Sequence, residues 1–331
     1  MSPVGHGAGC SHLTRHVDLA DCICARLSWD DHRVLSPSRV HGELQQRLRD
    51  IRFRLAWDLV PAFDALMARR GFLSDDSDAF FHPLGQPIAA FPMWTAAAVG
   101  DADEHRLLDM IEATVAGYLY VRVHDDRLDE GIGDPDDALF LADAFLVRHQ
   151  VLLARQVGAS PRFWSLFERI AAEYAAAMLL ERSLLRPDAI YGRDEFDAVL
   201  GRSRPLVLPG AALLDVADRW ELLEPLQRFV HHAVRAAQLV DDLLDCHADA
   251  AAGRHTWVVR RLQRDGGVEA MGRNLVAGGL DEIVTDVLAD IDAADQYGRA
   301  VGMAGASEWL AARRDAVVAL HEQVLVRFLL G

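Results

Sequence analysis

Gln238-Leu-Val-Asp241-Asp242-Leu-Leu-Asp245-Cys-His-Ala-Asp249 sets an acidic cluster inside an otherwise apolar helical segment. Asp241, Asp245 and Asp249 recur every fourth residue, which on a helix puts them on one face with Cβ atoms roughly 5–6 Å apart. Aspartate is a poor helix former and like charges at this spacing repel, so the run needs compensation. The same spacing occurs earlier, in Tyr118-Leu-Tyr-Val-Arg-Val-His-Asp125-Asp126-Arg-Leu-Asp129-Glu130. Taken singly, either cluster is also compatible with a solvated acidic face. Two of them in one chain favour a shared purpose: paired carboxylates can chelate Mg²⁺, whose other positions go to water and phosphate oxygens.

Composition narrows the alternatives. The 331 residues are 51% hydrophobic and 25% charged, enough to bury a sizeable core. A formal charge of −16 opposes binding to nucleic-acid phosphates and stable insertion at anionic membranes. All 34 basic residues are arginine, which removes Schiff-base and P-loop lysine chemistry and leaves phosphate clamping to arginine or metal. The four cysteines, Cys10, Cys22, Cys24 and Cys246, have neither zinc-site spacing nor the density of a disulfide scaffold. With no apolar run of the ~18 residues that a spanning helix needs and no secretory leader pattern, a cytoplasmic protein is expected.

Outward from the clusters, the apolar periodicity is helical throughout. Residues 1–40 read as a partly irregular N-terminal extension, and residues 41–331 as an α-helical catalytic domain. One long helix is expected over His41–Arg70, ending at Gly71. A loop containing Pro83, Pro87 and Pro92 is expected over Ser74–Trp94. Helices follow over 102–130, 136–156, 161–185, 193–200, 205–217, 221–250, 256–265, 280–297 and 307–330. No run alternates as a strand does. The expectation is an all-α, single-domain bundle of about ten helices around a central cavity, with ligand groups facing inward from opposed helices.

These motifs resemble those of the class I isoprenoid synthases, the trans-prenyltransferases and terpene synthases. The segment Gln238 to Arg254, with its closing Gly253-Arg254 pair, is similar to the family's second aspartate-rich motif, and Asp125–Asp129 to its first. Gly201-Arg202-Ser203-Arg204-Pro205 resembles the segment whose basic and hydroxyl groups contact diphosphate. The likeness covers roughly residues 45–325. It implies a cluster of about three Mg²⁺ ions held by Asp125, Asp129, Asp241, Asp245 and Asp249, with Asp126 and Asp242 completing the catalytic motifs. It further implies diphosphate and substrate contacts from Arg202, Ser203, Arg204, Gln238 and Arg254. Tyr118, Tyr120 and Val121 would shape the pocket below the first motif, although core packing would equally explain these aromatics. Trp94, Phe145, Phe167, Tyr174, Trp220, Phe229 and Trp309 are further candidates to face a carbocation, or simply core. His124, His231 and His232 lack any zinc or triad pattern. A homodimer is implied only by analogy.

Chain-elongating members carry a Gly-Gly-Lys segment and an arginine pair after the first motif. Here Glu130-Gly-Ile-Gly-Asp134-Pro-Asp136-Asp137 is acidic where that pair should be, and no lysine exists. The expected activity is therefore a terpene synthase that ionises one linear allylic prenyl diphosphate, C15 or C20, and cyclises or rearranges the cation. The alternative is a prenyltransferase that adds the allylic group to isopentenyl diphosphate or a non-isoprenoid acceptor. A non-catalytic partner subunit would have no physical need for two aspartate clusters.

Overall fold

The computed structural model describes residues 37–72, 87–129, 134–186, 189–263 and 266–330. The remaining residues, including most of the expected extension and residues 130–133 of the acidic stretch, lie outside the described residues. Among those described there is no strand.

The elements are α1 (Pro37–Arg54), α2 (Val60–Arg70), α3 (Ala90–Val99), α4 (Glu104–Asp129), α5 (Pro135–Val157), α6 (Pro161–Leu184), α7 (Arg193–Val199), α8 (Val207–Val216), α9 (Leu223–Ala251), α10 (Trp257–Leu262), α11 (Gly267–Asn274), α12 (Leu280–Val301) and α13 (Ala304–Leu330), with a 3₁₀ segment, Leu200–Leu206, leading into α8. No described helix is long and apolar enough to cross a membrane.

Two long helices carry the aspartates. On α9 the buried positions Leu226, Phe229, Val230, Ala233, Ala236, Leu239, Leu243 and Cys246 form one stripe at helical spacing. That stripe packs along α12, which in turn packs along α13. α4 packs along α5, whose start is fixed by Asp134, its side chain accepting from the backbone N–H of Asp136 and Asp137. α8 is buried on nearly every face and contacts α3, α4, α5, α6 and α9, so it forms the centre of the bundle.

Three local expectations need correction. The helix expected over His41–Arg70 is broken into α1 and α2 by a 3₁₀ turn at Trp57–Leu59. Pro61 accounts for the restart: with no N–H it is tolerated in the first turn of α2 and not within a continuous helix. The loop expected up to Trp94 is helical from Ala90, because Pro92 lies in the first turn of α3, where its missing N–H has no intrahelical partner to lose. The helix α11 and the irregular turn Leu275–Gly279 were not foreseen, since glycines at 266, 267, 278 and 279 mask their periodicity.

Candidate active site

α4 and α9 face each other across one cavity of about 120 Å³. From α4 it is lined by Thr114, Gly117, Tyr118, Val121, Arg122 and Asp125, and from α9 by Gln238 and Asp241. Arg202, Ser203, Pro205 and Leu206 enter from the 3₁₀ segment, and His149 from α5. The arrangement follows from helical geometry: Tyr118, Val121, Arg122 and Asp125 are three, four or seven residues apart, so one face of α4 carries them.

The 3₁₀ segment reaches the cavity because of Gly201. A Cβ there would lie 3.1 Å from the Ala177 Cβ on α6, so glycine lets the segment lie directly against that helix. Arg202 follows, largely but not fully buried. Its guanidinium donates to Glu181 of α6 and, at 2.6 Å, to Gln238 Oε1. Gln238 in turn donates at 2.6 Å from Nε2 to Asp242 Oδ1. This chain of bonds fixes the orientation of Gln238 and anchors the second aspartate cluster from below. Burial disfavours the Arg202 charge, but Glu181, Asp125 and Asp242 more than offset it and hold the guanidinium above its ordinary pKa. It is a permanent cation aimed at the cavity.

The two aspartates of the first motif have different surroundings. Asp125 lines the cavity; Oδ2 accepts from Arg122 at 3.2 Å, and Oδ1 is buried with no hydrogen-bond partner. Asp126, 3% exposed, turns to the other side of α4 and is held by Arg69 and Arg70 of α2 and by Arg122 at 3.2 Å. Asp129 ends α4, and its side chain lies outside the described residues. In the second motif, Asp241 lines the cavity while Asp242 is buried beneath Gln238. Asp245 is exposed, and Asp249 pairs with Arg254 at 2.7 Å. Asp241 is exposed as well, yet desolvation where it lines the cavity, followed by repulsion from Asp245, pushes its carboxyl up. Burial pushes Asp242 up to about 7, against the lowering effects of Gln238 and Arg202. Asp249 is likewise raised by burial although Arg254 opposes it. An acidic cluster strained in this way is a place where added positive charge is stabilising.

The donor set fits Mg²⁺. All the donors are hard carboxylate oxygens; Asp125 lines the cavity, and its Oδ1 is a buried acceptor without a hydrogen-bond partner. Among the described residues no three His, Cys, Asp or Glu side chains converge to hold a metal by themselves. The five-aspartate holder set expected from the sequence is therefore not assembled among the described residues, where Asp125 and Asp241 alone of the five line the cavity; a Mg²⁺ ion there would take one or two carboxylates and fill its shell with phosphate and water oxygens. Asp125 and Asp241 would be its holders across the cavity.

The cavity shares lining residues with two apolar spaces that adjoin it. Past Gly117, His149 and Pro205, which line both, lies a cleft of about 470 Å³ with Tyr120, Phe167, Ile170, Tyr174 and Met178 in its walls. Past Thr114 and Leu206 lies a smaller pocket with Phe91, Phe229, Trp309 and Arg313. The aromatic candidates therefore divide. Phe167, Tyr174, Phe229 and Trp309 face these spaces, whereas Trp94 and Phe145 are fully buried core. Trp220 lies under Arg162, 5.1 Å from the guanidinium carbon to the ring centroid.

Some expected residues are not brought to the cavity. Arg204 pairs with Glu173 and lines a separate cleft, because Arg202 and Arg204 point to different sides of the 3₁₀ turn. Tyr120 lines the apolar cleft rather than the polar cavity. His124 Nδ1 lies 3.0 Å from the Tyr174 hydroxyl, and His232 pairs with Asp290. Conversely, Arg122, His149, Glu181 and Arg313 were not singled out. Arg122 was legible as the residue one helical turn before both Asp125 and Asp126. Glu181 carries no such signal, since only the fold brings it to Arg202.

Compared by sequence, the chain matches no family model and no curated protein. Compared by structure, it is similar to the geranylgeranyl pyrophosphate synthetase from the archaeon Geoglobus acetivorans, with a TM-score of 0.61 at 15% identity over 88% of this chain and 99% of that one. The all-α isoprenoid synthase fold is therefore the architecture of this protein.

Proposed function

We propose that this protein is a class I terpene synthase that ionises a linear C15 or C20 allylic prenyl diphosphate. The observation that carries this reading is that Asp125 and Asp241, on helices remote in sequence, line one cavity together with Arg122 and Arg202. An acidic pair opposite partly buried arginines is suited to a diphosphate bridged by divalent cations, and Mg²⁺, when bound, would withdraw charge from the leaving diphosphate. Arg202, held by Glu181 and Gln238, keeps a fixed positive charge where the leaving oxygens gather negative charge. Asp125 and Asp241 set the position of the head group; Tyr118 and Val121 line the passage beneath it. The prenyl chain extends past Gly117 into the apolar cleft, where Tyr120, Phe167 and Tyr174 exclude water and present π faces to the cation. Asp245 and Asp249 lie further along α9 and Arg254 just past its end, paired with Asp249; none of the three lines the cavity, and in this reading they would add to the charge balance near the head group.

A second reading, prenyl transfer, is supported by the all-aspartate form of the second motif and by the structural neighbour being a geranylgeranyl pyrophosphate synthetase. One experiment separates the two. Purified protein and Mg²⁺ are incubated with C10, C15, C20 and C25 allylic diphosphates, with and without isopentenyl diphosphate. A hydrocarbon or alcohol formed from one allylic substrate alone is expected. Longer diphosphates formed only with the second substrate would replace the synthase reading by prenyl transfer.

A further inference from the structure

α5 buries Leu141, Ala142, Phe145, Leu152 and Leu153, and His149 falls within that apolar stripe. A buried imidazole must satisfy both ring nitrogens or leave one without a partner. Nδ1 lies 2.7 Å from the carbonyl oxygen of Ala113 on α4. That oxygen can only accept, so Nδ1 carries the proton and Nε2 holds a lone pair. Nε2 is buried and has no hydrogen-bond partner. His149 also lines the polar cavity and the apolar cleft alike, at the point where the two meet. Gly117 permits this seat: a Cβ there would come within 3.1 Å of the imidazole.

We propose that His149 is the catalytic proton acceptor that ends the cation reaction, its Nε2 removing a proton from the carbon next to the cationic centre. This inference rests on the isoprenoid-diphosphate reading above and adds to it the group that terminates turnover. In the step, the C–H bond breaks, its electron pair becomes the new carbon–carbon π bond, and the proton bonds to Nε2. No electron is gained or lost. As product leaves, the imidazolium returns its proton to the released diphosphate or to water.

The position suits the task in three ways. Burial holds the imidazole pKa down to about 4, so the ring enters the reaction neutral and does not repel the cation. A weak base suffices, because a carbocation is an extremely strong carbon acid and needs only a placed lone pair. His124, which lines the same cleft, has its Nδ1 engaged by Tyr174, whereas the other charged groups near His149, namely Arg122, Asp125, Arg202 and Asp241, lie on the head-group side.

The test is His149→Asn, whose amide N–H can keep the bond to the Ala113 carbonyl while the Nε2 lone pair is deleted. His149→Gln serves if the first variant does not fold. Diphosphate release and the product mixture are measured with the substrate that wild type consumes. Per diphosphate released, the wild-type alkene is expected to fall more than about tenfold against alcohols and other alkenes, equivalent to ~1.4 kcal/mol. Unchanged product ratios would overturn the proposal, as would equal loss of release and product, which is the mark of a purely structural residue. A wild-type product that ends in water capture would overturn it too. Failure of wild type to release diphosphate from any allylic substrate would instead remove the functional reading itself.

Discussion

Asp125 and Asp126 are neighbours in the chain with opposite environments. Asp125 lines the cavity and has one buried oxygen without a partner, so Asp125→Ala removes the proposed ligand-holding group and leaves no unpaired buried acceptor behind. Diphosphate release should fall by about 10²–10³-fold, with Asp241→Ala behaving alike, and helical circular dichroism should be retained. Retained turnover in either variant would take that residue out of the site. Asp126, itself buried, instead pairs with the partly exposed Arg69, Arg70 and Arg122 and so ties α2 to α4. Asp126→Asn leaves that group of arginines short of an anion and should cost about 3 kcal/mol in urea unfolding. A loss below about 0.5 kcal/mol, as for an exposed pair, would contradict this assignment. Spacing alone places both residues in one motif; it cannot say which of two adjacent carboxylates faces inward, because that depends on the helices packed either side.

At the scale of elements, α4 and α9 were legible because their apolar repeats are long and uninterrupted, and the face shared by Tyr118, Val121 and Asp125 follows from 3.6 residues per turn. The break between α1 and α2 was carried by Pro61, a signal outweighed by the surrounding periodicity. The 3₁₀ segment was least legible. A helix expected from Pro205 begins at Val207, and the preceding turn delivers Arg202 through a close approach that only the folded neighbour α6 defines. Gly201→Ala tests that approach. Its Cβ would meet Ala177 and push the segment outward, for an expected loss of about 1–3 kcal/mol in stability. Since Arg202 moves with the segment, diphosphate release should fall more than the stability loss alone accounts for. Wild-type kinetics in a destabilised variant would show that the position of Arg202 does not matter to turnover.

The whole molecule carries a formal charge of −16 and concentrates carboxylates on α9 beside a cavity suited to a dianion or trianion. Without a cation these groups resist ionising: Asp242 is pushed up to about 7, and Asp241 and Asp249 are raised as well. The sign of the linkage follows. Between about pH 4, where an unfolded aspartate loses its proton, and about 7, the folded chain binds more protons than the unfolded one. Stability therefore declines as pH rises through that window, and the full cost is present only above it. A divalent cation competes with those protons for the same carboxylates. Added Mg²⁺ should thus raise the melting temperature little at pH 5 and progressively more toward pH 8, with the gain enlarged by inorganic diphosphate. In Asp241→Ala the pH-dependent part of the gain should shrink, and in Asp126→Asn it should persist on a lower baseline. A Mg²⁺ effect that is flat with pH, or equal in wild type and Asp241→Ala, would mean that the ion acts on the acidic surface at large rather than between α4 and α9.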